Sequence, residues 1–154
     1  MKEKHILAHM EAAEVYAQCS SARRLQVGCL IVKDERVISI GYNGMPSGWS
    51  NVCEDDNYDS KPQVLHAEAN AIAKLARSSE SGDGAVAFIT HMPCMECSKL
   101  IYQSGIIEVY YKHGYRKFDG TRFLLMAGVR VFKIDKEGPT IIEELECDLD
   151  IADI

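Results

Sequence analysis

No run of eighteen apolar residues occurs anywhere in the 154 positions of this chain, which excludes a transmembrane helix. A secretory leader is equally missing from view. Met1-Lys2-Glu3-Lys4-His5 mixes charges, and neither an unbroken apolar stretch nor a small-residue cleavage site follows. The expected location is the cytoplasm, with no membrane partner. Excess basic charge is also lacking. The formal net charge is −6, and the segment from Glu143 onward carries six acids and no base. Setting those six apart from the 23 acids leaves 17, equal to the 17 lysines and arginines, so the body is near neutral. A protein that tracks a nucleic-acid backbone needs a basic surface, so no nucleic-acid partner is expected. One small phosphorylated ligand, held by a few local bases, remains compatible with this charge. With no secretory leader, the six cysteines do not read as a disulfide framework, and clustered cysteines in a reducing compartment are read first as metal ligands.

What is present has a regular rhythm. Ile6, Leu7, Met10, Ala13 and Ala17 recur at helical spacing over residues 3–19. Val27 to Val32 and Arg36 to Ile40 read as a hairpin turned at Asp34-Glu35. The glycine-rich run Gly41-Tyr42-Asn43-Gly44-Met45-Pro46-Ser47-Gly48 cannot be regular structure, and Asn51 to Lys61 reads as a surface loop. A helix over 65–76, a strand over 85–90, a helix over 94–103 stopped by Gly105, a strand over 106–111, a helix over 121–127 and a strand over 129–133 complete the pattern. Such alternation implies βαβ crossovers: an α/β fold with a partly parallel sheet and helices on both faces. Neither repeat nor linker divides the chain, which gives one domain over 1–134 and an acidic C-terminal tail over 135–154.

Two segments carry the chemistry, His66-Ala67-Glu68 and Pro93-Cys94-Met95-Glu96-Cys97. Each falls at the start of an expected helix, where the dipole favours ionised thiols. Cys94, Cys97 and His66 make three ligands, leaving a fourth tetrahedral position for water, as in catalytic rather than structural zinc sites. Glu68, two residues beyond His66, is placed to approach that water without binding the metal. Zinc lowers the pKa of its water to about 7, and a carboxylate there can accept the proton and deliver it to a ring nitrogen and a departing amine. H-x-E…P-C-x-x-C is a known pattern of zinc nucleobase deaminases. A closed structural site would need a fourth protein ligand, for which His91 is the nearest candidate in sequence. His5 and His9 read as solvated helix residues, and Cys29 as a small core residue.

Together with Arg23-Arg24-Leu25-Gln26-Val27-Gly28, the Gly41–Gly48 run and Gln103-Ser104-Gly105-Ile106, these segments resemble the deoxycytidylate (dCMP) deaminase family, bacterial and phage type, of the zinc-dependent cytidine deaminase superfamily. The resemblance spans residues 8–133. It implies a three-layer α/β/α cytidine deaminase-like fold with a central mixed sheet of about five strands. It also implies zinc on His66, Cys94 and Cys97, with Glu68 as catalytic proton shuttle. Asn43 would hold the deoxyribose 3′-hydroxyl and the Ala67 backbone the pyrimidine, while Arg24, Tyr115 and Arg116 would take the 5′-phosphate. Family members are commonly hexamers, activated by dCTP and inhibited by dTTP. The resemblance therefore assigns an allosteric nucleotide site, with Mg²⁺ on the phosphates, to Gly41, Tyr42, Asn43, Gly44 and Met45. The implied reaction is dCMP to dUMP and ammonia, supplying dUMP for thymidylate synthesis.

Some phage relatives have a long insertion ahead of His-Ala-Glu that helps bind a second zinc. Cys19 and Cys53 match two of that site's cysteines, but the insertion is short here and a second zinc is not expected. Other readings share the metal pattern. A free cytidine or deoxycytidine deaminase would need no phosphate subsite, and a tRNA adenosine deaminase would need a basic face. A riboflavin-pathway deaminase is disfavoured by the intact glycine-rich run. A non-catalytic zinc-stabilised interaction module would have no use for Glu68.

Overall fold

The computed structural model describes residues 1–137 and 141–147. Asp148, Asp150 and Asp153 of the acidic run lie outside the described residues. The helices are α1 (Glu3–Ala17), α2 (Ala67–Ala76), α3 (Met95–Gln103) and α4 (Asp119–Met126). The strands are β1 (Gly28–Lys33), β2 (Arg36–Tyr42), β3 (Val86–His91), β4 (Glu108–His113), β5 (Arg130–Ile134) and β6 (Ile142–Glu144). They form one mixed sheet in the order β2-β1-β3-β4-β5-β6. β3, β4 and β5 run parallel, while β1 is antiparallel to both β2 and β3. This is the α/β architecture with a mixed sheet expected from the alternation of elements. The sheet has a sixth strand beyond the five or so expected, because Ile142–Glu144 add antiparallel to β5 from within the segment read as a tail. No described helix is long and apolar enough to cross a membrane.

Alternation along the strands sets the layers. Leu30 and Val32 of β1, with Phe88, Tyr110 and Phe132 of the neighbouring strands, pack under Ile6, Met10 and Ala13 of α1. Cys29 and Ile31 face the opposite side, where Ala71 and Leu75 of α2, Ile101 of α3 and Leu124 of α4 close the larger core. Period-2 side-chain alternation in a strand makes one residue serve one layer and the next the other. Phe88, Tyr110 and Phe132 stack in sequence at 4.9 and 4.5 Å between centroids. His9 rests its ring on Phe88 at 5.1 Å, so it is a packing residue of α1 rather than a purely solvated one.

Close backbone approach fixes the helices beside the future site. A Cβ on Gly41 would meet the Ala67 carbonyl oxygen at 2.1 Å and the Ala71 nitrogen at 2.6 Å, so β2 and α2 touch backbone to backbone there. Ser39 Oγ donates to the Ala71 carbonyl (2.7 Å), Asn70 Nδ2 to the Tyr42 carbonyl (3.0 Å) and Lys74 Nζ to the Ile40 carbonyl (2.7 Å), continuing the seam. α3 ends where Gly105 takes φ +83°, the left-handed conformation of a helix-terminating glycine.

Candidate active site

His66 is the N-cap of α2 and Cys94 the N-cap of α3. Both follow extended segments, so two helix N-termini deliver their first side chains to one point. His66 Nδ1 lies 3.5 Å from Cys94 Sγ and 3.4 Å from Cys97 Sγ. The ligand atoms of His66, Cys94 and Cys97 lie within 4.8 Å of one another, and no other described group of three or more His, Cys, Asp or Glu residues is so placed to hold a metal ion. Tetrahedral zinc with bonds of about 2.05 Å to nitrogen and 2.3 Å to sulfur would set those two atoms about 3.6 Å apart. The donor set and its spacing fit that ion.

Electrostatics agree. The Cys94 thiol is pulled down to about 3, first by its hydrogen bond with Cys97 and then by the one with His66. Cys97, the proton-holding partner, is pushed up by the same contact and by burial. His66 is raised, chiefly by its hydrogen bond to Cys94. An anionic sulfur at a helix N-terminus, with an imidazole at hydrogen-bond distance, is a site prepared for a cation.

Glu68 stands in the first turn of α2 and is 5% exposed. Burial raises its carboxyl above the ordinary range, with His66 pulling the other way. It lines, with His66 and Cys94, a cavity of about 410 Å³, a size suited to one small organic ligand. His91 also lines the cavity but does not join the ligand cluster. Its Nδ1 lies 2.9 Å from Thr90 Oγ1, and its ring packs on His113 at 4.8 Å. Burial, helped by His113, lowers His91 to about 4, so the ring is neutral at physiological pH. The three-ligand cluster thus leaves the metal position open towards the cavity.

Asn43, Ala67, Arg24 and Tyr115 all line the cavity, bringing four expected ligand-binding residues together with the metal cluster. Arg116 is exposed and does not line it. Asn43 is held from both sides of its amide: Oδ1 accepts from the Val27 amide (2.8 Å) and Nδ2 donates to the Leu25 carbonyl (2.8 Å). One N–H and one lone pair remain for a ligand. Gly41, Tyr42, Gly44 and Met45 do not line the cavity; Gly41 packs on α2, and Gly44 pairs with Leu65 as an antiparallel bridge. Of the two cysteines considered for a second metal, Cys19 is exposed and Cys53 is buried.

The sequence reading missed one wall. Glu54, Ser60, Lys61, Pro62 and Val64 line the cavity, although 51–61 reads as an ordinary surface loop. The available signal was Lys61, a base only five residues before His66.

Residues 2–113 match the family described as the cytidine and deoxycytidylate deaminase zinc-binding region. A solved structure of the dCMP deaminase of cyanophage S-TIM5, in complex with dCMP and dUMP, is 45% identical, with a TM-score of 0.85 over 87% of this chain and 99% of that one. The deoxycytidylate deaminase of Mus musculus is 33% identical, covering 89% of this chain and 83% of its own length. ComE operon protein 2 of Bacillus subtilis is 37% identical, over 82% of this chain and 69% of that protein. The chain belongs to the zinc-binding cytidine and deoxycytidylate deaminase family.

Proposed function

We propose that this family member hydrolyses dCMP to dUMP and ammonia. The observation that carries the reading is one cavity lined by His66, Cys94, Glu68 and Arg24, with Cys97 completing the ligand cluster beside it. The likeness to a dCMP deaminase solved with dCMP and dUMP supports it. His66, Cys94 and Cys97 hold the zinc in this reading, and zinc so held supplies a water that ionises near neutral pH. Glu68 takes one proton of the attacking water on its carboxylate and passes it to the ring nitrogen N3; it then takes the remaining proton from the new C4 hydroxyl as the carbonyl forms and gives it to the amine, which leaves as ammonia. Burial equips Glu68 for both directions, because its raised pKa lets it hold a proton nearer to neutral pH than an exposed carboxylate could. Asn43 orients the deoxyribose 3′-hydroxyl, and the Ala67 backbone meets the pyrimidine. Arg24 and Tyr115 receive the 5′-phosphate, joined by Arg116 from the adjacent loop position.

The finer part of the reading concerns control. A nucleotide site on Gly41, Tyr42, Asn43, Gly44 and Met45, with Mg²⁺ on the phosphates, would let dCTP activate and dTTP inhibit a hexamer in the cytoplasm. The seam between β2 and α2 supports such coupling. Tyr42 is hydrogen-bonded to Asn70, and Gly41 sits flush on Ala67, so a shift at this loop bears on the helix that starts at His66. Allosteric control still requires the two effectors to bind two states with different affinity. The competing reading within the same chemistry is a nucleoside deaminase indifferent to the phosphate.

Ammonia release from dCMP, deoxycytidine and CMP, each with and without dCTP or dTTP plus Mg²⁺, tests both levels. The reading expects turnover concentrated on dCMP, raised by dCTP and lowered by dTTP. Equal turnover of deoxycytidine contradicts the phosphate subsite, and indifference to both triphosphates contradicts the regulatory site alone.

A further inference from the structure

Glu54 is a carboxylate with no place in the chemistry above, yet it is only 7% exposed. Its Oε1 accepts two backbone hydrogen bonds, from the amides of Arg23 (2.7 Å) and Arg24 (3.1 Å). Consecutive amides turned towards one anion hold it more firmly than a neutral acceptor, and the anion in turn fixes the backbone that carries them.

The segment bearing Glu54 is a small closed hairpin. Glu54 and Ser60 form an antiparallel bridge, and the Lys61 amide donates to the Cys53 carbonyl (2.8 Å). Inside the turn, Asp55 Oδ1 accepts from the amides of Asn57 (2.9 Å) and Asp59 (3.0 Å). Ser60 and Lys61 of the hairpin and Arg24 of the clamped segment therefore all line the one cavity. A single ion pair, Arg24 to Asp59 at 3.5 Å, bridges the two at the surface, with side chains 49% and 72% exposed. An exposed pair of this kind contributes little, so Asp59 can give way to a better anion.

We propose that Glu54 is a positioning residue for phosphate recognition: it clamps the Arg23–Arg24 backbone to the 53–61 hairpin, so that Arg24 and Lys61 face one phosphate across the cavity mouth, where Asp59 otherwise partners Arg24. This rests on the dCMP reading and adds to it the residue that assembles the subsite.

Steady-state kinetics of Glu54→Ala and Glu54→Gln, with dCMP and with deoxycytidine, test the clamp beside zinc content and Tm. For Glu54→Ala, loss of the charged acceptor should raise KM for dCMP by about tenfold. Both kcat for dCMP and kcat/KM for deoxycytidine should stay within about threefold of the parent. Glu54→Gln keeps a carbonyl acceptor and should lie between the two. Should Glu54→Ala fail to fold, Glu54→Gln carries the same comparison of substrates. Parallel losses for dCMP and deoxycytidine, loss of zinc, or an unchanged KM would each overturn the proposal. Failure of the underlying reading looks different: the parent protein itself would then turn over deoxycytidine as well as dCMP.

Discussion

Glu68 and Glu54 are buried carboxylates that line the same cavity, and their surroundings push them in opposite directions. Burial raises Glu68, outweighing the hydrogen bonding and the His66 imidazole that favour its charge. Hydrogen bonds from the Arg24 and Arg23 amides outweigh burial at Glu54 and lower it. The first is suited to moving a proton and the second to staying ionised. Glu68→Gln removes the shuttle while keeping shape, and should cut dCMP turnover by about 10²–10⁴-fold. Metal analysis of the same variant should find zinc retained, since Glu68 is outside the ligand cluster. Zinc lost along with activity would contradict that division of labour. For Glu54 the linkage has a definite sign. A folded-state pKa below the unfolded one gives stability that is full above the ordinary value of 4.5 and lost as pH falls through the folded value. Thermal melts of parent and Glu54→Gln should therefore differ most at neutral pH and converge below 4.5. A gap that persists or widens in acid would show that the charge is not what stabilises.

At the scale of elements, the β2–α2 seam decides where the His66 ligand stands. Gly41→Ala would drive a methyl carbon into the Ala67 carbonyl at 2.1 Å, and backbone cannot swing aside as a side chain can. The expected cost is at least about 2 kcal/mol. α2 must tilt to make room, and His66 moves with it, so calorimetry should show a lower Tm and competition with a chelator a weaker zinc site. An unchanged melt would contradict the close approach. Most of these elements were legible in the sequence because their signals are local. Apolar spacing marks α1 and Gly105 ends α3, while the helix starts at His66 and Cys94 announce themselves by residue type. Two features were not. β6 is three residues long, Ile142–Glu144, and exists through backbone pairing with β5 rather than through any pattern of its own. The 51–61 segment is polar and looks like solvent-facing loop, yet Glu54 turns inward because the amides of Arg23 and Arg24, thirty residues earlier, offer it a partner. Non-local pairing leaves no trace in periodicity.

Over the whole molecule, charge that looks like a tail is partly woven into the sheet. Arg130 on β5 is gripped by Glu144 of β6 (2.7 Å) and Glu108 of β4 (2.9 Å), tying three strands across the edge. The Arg130 and Glu144 side chains are about half exposed. Arg130→Met should thus cost little stability, and less still in high salt. A loss of several kcal/mol in chemical denaturation would mean that the β6 edge is needed for the fold as a whole. The cavity, by contrast, gathers residues from both sides of the glycine-rich run and from two helix starts, so its chemistry depends on the complete body.

The central claim is that this body is a zinc-dependent dCMP deaminase, and metal removal addresses it directly. Ammonia release from dCMP should be followed in the protein as isolated, after chelation and dialysis, and after one equivalent of zinc is restored. Activity lost with the metal and regained with zinc is the predicted result. Undiminished turnover in metal-free protein, or no turnover of dCMP with zinc fully bound, would contradict the account.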